Sequence, residues 1–247
     1  MATYGSGQVG FVLMDGYSLA PYLTELELDH QAKTEDSTVL TVSAVAHAYV
    51  GLREFMLSVK GFYDDTAGAI DAGLCTKQGT VRVVNLALEG NTTGKQFVGF
   101  AGTLQGDYKR GAKNGELHKA EAAFQGAGEV EEGYIIAHLA ARTTAGNTTA
   151  TKVDCLASGT GGVAFLQCTA LDLDDYTNLA IKLQDSANGT DFADVTGGAF
   201  TALTAIGKQR LVIAGTIRQY VAVAWSWTGS GTSPTGTWFV GLHKHVD

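Results

Sequence analysis

The sequence predicts a mainly β protein, a two-sheet β-sandwich or barrel with one short helix followed by a second β-sandwich. Three observations carry this. Glycine is abundant at 32 and proline scarce at 2. The apolar residues are Val, Leu, Ala and aromatics interleaved with Thr, a composition that suits pleated, half-buried strands. Turn chemistry recurs at short intervals, as in chains built from many short strands. At 247 residues the chain exceeds the common size of about 100–150 residues for one domain, so two domains are expected. Small polar residues replace the apolar rhythm across 140–150, and the boundary is set there, giving domains 1–140 and 141–247.

The first element is an apolar strand, Phe11-Val12-Leu13-Met14, closed by Asp15-Gly16. Gly accepts positive φ and Asp bonds its own backbone, so this pair between apolar runs signals a tight hairpin. Residues 24–29 alternate, with Glu25, Glu27 and Asp29 on one face and Leu26 and Leu28 on the other. From Gln31 to Gly51 the chain is polar (Lys33, Glu35, Asp36) and then apolar (Val39, Leu40, Val42, Val45, Tyr49). That is too long for a plain connection, and loops beyond about 12–15 residues are commonly functional or disordered. Residues 39–46 also fit an ordinary core strand. A strand at 54–63 follows, then a helix over 64–75 with Asp64 or Asp65 at its start and Ala67, Ile70 and Leu74 on one stripe. Strands at 80–88, 95–104 and 116–125 are separated by Gly- and Asn-rich turns at 89–94 and 109–115. Beyond the boundary, strands are expected at 163–169, 178–184, 200–203, 208–214, 219–227 and 236–242. The run 220–227 is apolar on both faces, as a central strand should be.

Charge and motifs narrow the function. The net charge is −8, and most of it lies in residues 1–140. An acidic surface repels phosphate, which disfavours tight nucleic-acid binding. No run of eighteen apolar residues is present and residues 1–5 lack a basic-then-apolar pattern, so neither a membrane span nor a signal peptide is expected, and synthesis in a cytoplasm is. Cys75, Cys155 and Cys168 are odd in number and lack ligand spacing, which reads as free buried thiols. The Gly5-to-Gly10 run matches Gly-x-Gly-x-x-Gly but precedes a strand instead of following one, so no dinucleotide cofactor is expected. The six histidines accompany no nucleophile motif, and no enzymatic activity is expected. His243-x-His245 is the minimum of a metal pair, but no third ligand is near in sequence, so it reads as an exposed tail. Asp172-Leu173-Asp174-Asp175 lacks the Gly and terminal Glu of a calcium loop and reads as a capped turn. No catalytic, cofactor or metal residue is therefore assigned.

The order of these features resembles the major tail (tail tube) proteins of long-tailed bacteriophages: the Asp15-Gly16-Tyr17-Ser18-Leu19 turn with Pro21-Tyr22, the long loop to Gly51-Leu52, the strand ending Gly61-Phe62-Tyr63-Asp64-Asp65, and the Ala-rich helix. The resemblance covers about residues 8–135, and residues 143–247 look like an appended immunoglobulin-like sandwich. It implies a tail-tube-like fold, hexameric rings stacked into a tube that carries DNA to the host, and a virion location. Implied partners are further copies of the chain and the tape measure, tail terminator and distal tail proteins, with DNA passing unbound. The long loop, through Lys33, Glu35, Asp36, Val39, Leu40, Val42, Val45 and Tyr49, would contact the neighbouring ring, and Glu25, Glu27 and Asp29 would face the lumen. Two other readings fit a β-rich, motif-free chain: a head decoration protein, and a host-surface carbohydrate-binding sandwich using Trp225, Trp227 or Trp238.

Overall fold

The computed structural model describes residues 10–36, 48–65, 70–75, 79–127 and 130–245. In chain order the strands are β1 (Phe11–Met14), β2 (Tyr17–Ser18), β3 (Leu23–Asp36), β4 (Ala48–Phe62), β5 (Val81–Ala87), β6 (Gln96–Gly111), β7 (Lys119–Ala127), β8 (Val130–Arg142), β9 (Gly146–Asn147), β10 (Val153–Asp154), β11 (Gly159–Asp172), β12 (Tyr176–Ser186), β13 (Ala193–Ala199), β14 (Gly207–Ile217), β15 (Tyr220–Gly229) and β16 (Thr235–Lys244). One α-helix, α1 (Ile70–Leu74), and two turns of 3-10 helix accompany them. The fold is mainly β, built of open antiparallel sheets in a sandwich arrangement.

The chain clusters into two compact units. One comprises Met1–Pro21, Val83–Gly99 and Glu131–Asp247, the other Tyr22–Arg82 and Phe100–Val130. The physical reason is strand pairing. β8 was not foreseen, and it lies hydrogen-bonded beside β16 with Leu242 opposite Tyr134 and Gly236 opposite Arg142.

In the first unit, β14, β11, β16 and β8 form one layer, and β10, β15, β12 and β13 form a second sheet with β9 on β15. Ile136, Ala164, Leu166, Trp238, Val240 and Leu242 from the first layer bury against Leu179, Ile181, Leu183, Val221 and Val223 from the second. The alternate residues of β11 and β16 point the other way. Phe165 and Phe239 pack edge-on against Phe97, and Phe239 also meets Phe11 at 4.7 Å. The opening hairpin closes as the sequence predicts, with φ of 51° at Asp15 and 86° at Gly16, the positive pair of a type I′ turn. Gln167 locks that turn: its Oε1 accepts from the Gly16 N–H at 2.7 Å, while its Nε2 donates to the Val83 carbonyl and to Asn85 Oδ1.

In the second unit the ladder runs β3, β4, β7, β6. Phe55, Leu57 and Val59 of β4 and Phe100, Ala122 and Phe124 of its neighbours are buried, as are Ile70 and Leu74 of α1. Gly126 is required beneath Phe55, because a Cβ there would sit 2.1 Å from the ring. The end of α1 is tied to the sheet by buried Arg82, which donates to the Gly73 carbonyl and to Gln105 Oε1, each at 2.7 Å, while Gln105 Nε2 donates to the Leu74 carbonyl.

Most expected strands are present within a few residues of their expected ends. Four readings change. Residues 200–203, expected as a strand, are irregular apart from a single bridge from Leu203 to Leu179, and the strand here is β13, just before them. Gln31–Asp36 and Ala48–Gly51, read as loop, are strand. Lys109–Gly111, read as turn, continues β6. Among the described residues the helix spans Ile70–Leu74, with Asp64 and Asp65 in irregular chain.

Candidate functional site

The second unit presents one solvent-facing sheet surface and one unusually long hairpin, and these are where the residues singled out by sequence fall. In β3 the alternation holds: Glu25, Glu27 and Asp29 are exposed, while Leu26 and Leu28 are half-buried. Register then aligns each carboxylate with partners on the next strands. Glu25 lies opposite Lys60, which lies opposite Glu121, itself opposite Lys109. Glu27 continues through Ser58 and Ala123 to Asp107, and Asp29 through Met56 and Gln125 to Leu104.

The face is acidic with embedded cations. Lys60 Nζ donates to Glu25 Oε1 at 2.7 Å, and that hydrogen bond is the main reason its pKa is raised. Lys109 pairs with Asp107 at 3.7 Å. Apolar groups are also present: Met56 is 57% exposed, Leu104 44% and Phe62 41%. Large exposed apolar side chains grouped on one sheet face are a feature of surfaces that other chains cover.

The hairpin β3–β4 extends beyond this sheet. The last pairing between β4 and β7 joins Glu54 to Ala127. Past it, Ala32 to Asp36 pair only with Arg53 to Ala48, so among the described residues the two strands continue as a bare ribbon. Lys33, Glu35, Asp36 and Tyr49 belong to this ribbon, with Glu35 opposite Tyr49 and Asp36 opposite Ala48. Val39, Leu40, Val42 and Val45 lie outside the described residues. A two-stranded ribbon is marginally stable by itself in water.

Elsewhere the structure revises one side-chain reading. His243 is not in a free tail. It is half-buried on β16, its Nδ1 lies 2.5 Å from the Glu132 carbonyl, and Glu131 approaches it from β8. The tryptophans belong to the sandwich interior: Trp238 is buried, and half-buried Trp225 and Trp227 pack against the same core. Trp225 Nε1 donates to the Thr144 carbonyl, and Arg142 stacks over Trp238 at 3.7 Å. The Asp172–Asp175 segment is a capped turn, with Asp174 at φ 50° accepting from the N–H and hydroxyl of Thr232 and from the Ser233 N–H. Those bonds hold its carboxyl below the usual range. Cys155 and Cys168 are buried free thiols, raised by burial to about 12 and about 11, whereas Cys75 is half-buried beside Arg110.

No protein-family model and no curated protein matches the chain. Among solved structures it is similar to a chain in the tail of an empty gene transfer agent particle refined with C6 symmetry, at 17% identity over 44% of this chain and 80% of that one, TM-score 0.36. A chain of the native gene transfer agent virion is similar at 15% identity over 53% and 98%, TM-score 0.42. The SPP1 Dit protein, described as a hub adsorption protein of phages infecting Gram-positive hosts, is similar at 11% identity over 96% and 99%, TM-score 0.32.

Proposed function

We propose that this chain is a structural, non-enzymatic subunit of a phage-type tail, polymerising as stacked hexameric rings into a tube through which DNA passes. The observation that carries the reading is the ribbon of β3–β4, which among the described residues runs past its last β7 partner by the length of Ala48 to Arg53 with no further pairing. A ribbon that no described part of its own unit pairs with gains stability when a neighbouring subunit covers it, and the sequence between the two strands offers apolar Val39, Leu40, Val42 and Val45 for that contact. The order of sequence features gives the same role to this segment.

The exposed rows of Glu25, Glu27, Asp29, Asp107 and Glu121 fit a wall past which DNA must slide. Duplex DNA carries about one charge per 1.7 Å, so a basic wall would hold it and an acidic one releases it. On this reading the chain works in the virion with other tail proteins at either end of the tube. A carbohydrate-binding role is disfavoured by the burial of Trp238 and the packing of Trp225 and Trp227.

Negative-stain microscopy of the purified chain, over a range of concentration and salt, tests the proposal. Rings and tubes are expected. Monomers under every condition, or closed particles without stacking, would reject it.

A further inference from the structure

β8 and β16 run antiparallel, so the start of one lies beside the end of the other. This places Glu131, His243 and His245 together, with one ligand-capable atom of each lying within 4.8 Å of the others. We propose that these three side chains form a binding site for a divalent transition-metal ion of the zinc type, independent of the assembly surface in the other unit.

The tautomer of His243 is the first argument. Its Nδ1 lies 2.5 Å from the Glu132 carbonyl oxygen, which can only accept, so Nδ1 carries the proton. In the neutral ring Nε2 then presents its lone pair, and it does so 3.4 Å from Glu131 Oε2. Two lone pairs facing each other repel unless a cation lies between them. A ring N–H donated to a backbone carbonyl while the other nitrogen faces inward is also how metal-binding histidines are held.

Glu131 supplies the second argument. Its side chain is buried at 4% residue exposure on β8, and Oε1 accepts from Arg210 Nη2 at 3.1 Å. The guanidinium fixes the carboxylate so that Oε2 is the oxygen turned to His243, as hydrogen-bonded partners fix carboxylate ligands in metal sites. His245 completes the set from the solvent side. It is exposed, its ring centroid lies 5.2 Å from that of His243, and its backbone N–H is anchored to the Gly161 carbonyl. Tetrahedral zinc with bonds of about 2.0–2.1 Å needs ligand atoms about 3.3–3.5 Å apart, so a small swing of exposed His245 closes the set. Two imidazoles and one carboxylate select zinc, cobalt, nickel or copper over the oxygen-seeking calcium and magnesium. Three protein ligands leave a fourth position for water or for a donor from another molecule.

The test is a titration of chelator-stripped full-length chain with zinc chloride at neutral pH by calorimetry, with cobalt(II) absorption as a report on coordination. One ion per chain is expected, with a tetrahedral cobalt spectrum. His245→Ala should weaken binding by at least about tenfold and leave the metal-free melting temperature unchanged, because the ring is exposed. His243→Ala and Glu131→Gln should abolish the cobalt spectrum, with circular dichroism checking that each variant is folded. Absence of zinc uptake would overturn the proposal. Uptake unchanged in His245→Ala and His243→Ala would also overturn it, as would equal affinity for calcium.

Discussion

Shortening the β3–β4 hairpin separates folding from assembly. Gln31 and Glu54 are opposite one another, and Glu54 is also the last β4 residue paired to β7. Replacing residues 32–53 with Asn-Gly therefore closes the hairpin where the wider sheet ends, with a two-residue type I′ turn between paired positions. Among the described residues the removed ladder is small: Ala32 with Arg53, Thr34 with Val50, Glu35 with Tyr49 and Asp36 with Ala48. Each backbone hydrogen bond contributes about 0.5–1.5 kcal/mol net, against about 1–2 kcal/mol per residue for ordering the backbone. On these figures the ribbon's own hydrogen bonds do not offset its ordering, so removing it should not destabilise the unit by more than about 2 kcal/mol. For a chain of this size that is a melting shift of less than about 8 °C. Assembly has a larger stake. If a neighbouring subunit buries Val39, Leu40, Val42 and Val45 at about 1.5–3 kcal/mol each, the interface loses about 6 kcal/mol or more. That weakens association by roughly ten-thousand-fold. Thermal melts by circular dichroism and sedimentation velocity with negative-stain imaging read the two effects. Tubes formed as by the parent chain would refute the assembly role, and collapse of the fold would show the ribbon to be part of the unit's own structure.

Replacing Glu25, Glu27 and Asp29 together with Lys should leave a folded, assembling protein, since all three are exposed, and should make the assembled tube retain duplex DNA in a low-salt gel-shift assay; tubes that still ignore DNA would place these residues away from its path. Truncation after Ala141 should abolish folding, because it strips β8 of β16 with its buried Trp238, Phe239, Val240 and Leu242. Loss of one such side chain costs about 2–5 kcal/mol, and a whole domain has only about 5–15 kcal/mol; a cooperative melt from the truncated chain would support 140/141 as a folding boundary. The native chain should be alkylated at Cys75 far faster than at Cys155 or Cys168, as peptide mapping would show. Cys155 is raised from 9.0 to about 12, so the folded state holds its proton longer than the unfolded state; this contribution to stability is complete below about pH 9 and is lost as pH rises towards 12, and a melt that strengthened across that window would contradict the burial argument.

The second half of the chain was the most legible, because continuous apolar runs bounded by Gly- and Asp-rich turns leave little choice of element: β11, β12, β14, β15 and β16 lie where expected. β8 was missed because it is neither alternating nor uniformly apolar. Its buried Glu131 is explained only by Arg210 and His243, which come from strands remote in sequence. For the same reason the histidine pair read as a tail. The polar run Gln31–Asp36 read as loop because strand propensity reports burial and packing, and backbone pairing to β4 needs neither. The composition break after residue 140 coincides with the short β9 and a 3-10 turn. The face shared by Glu25, Glu27 and Asp29 was legible because period-2 geometry fixes sidedness without reference to the rest of the fold.

Among the described residues, β3 pairs with β4 alone, which leaves the other edge of a 14-residue strand open. Such an edge is a template for any chain of the same sequence. Its carboxylates oppose such pairing. Two β3 strands laid edge to edge in antiparallel register about Glu27 would set Glu25 against Asp29 twice and Glu27 against itself, and like charges directly opposite destabilise a strand pair. Self-pairing in that register is thereby disfavoured, so the same three residues that mark the exposed face also guard the strand's open edge.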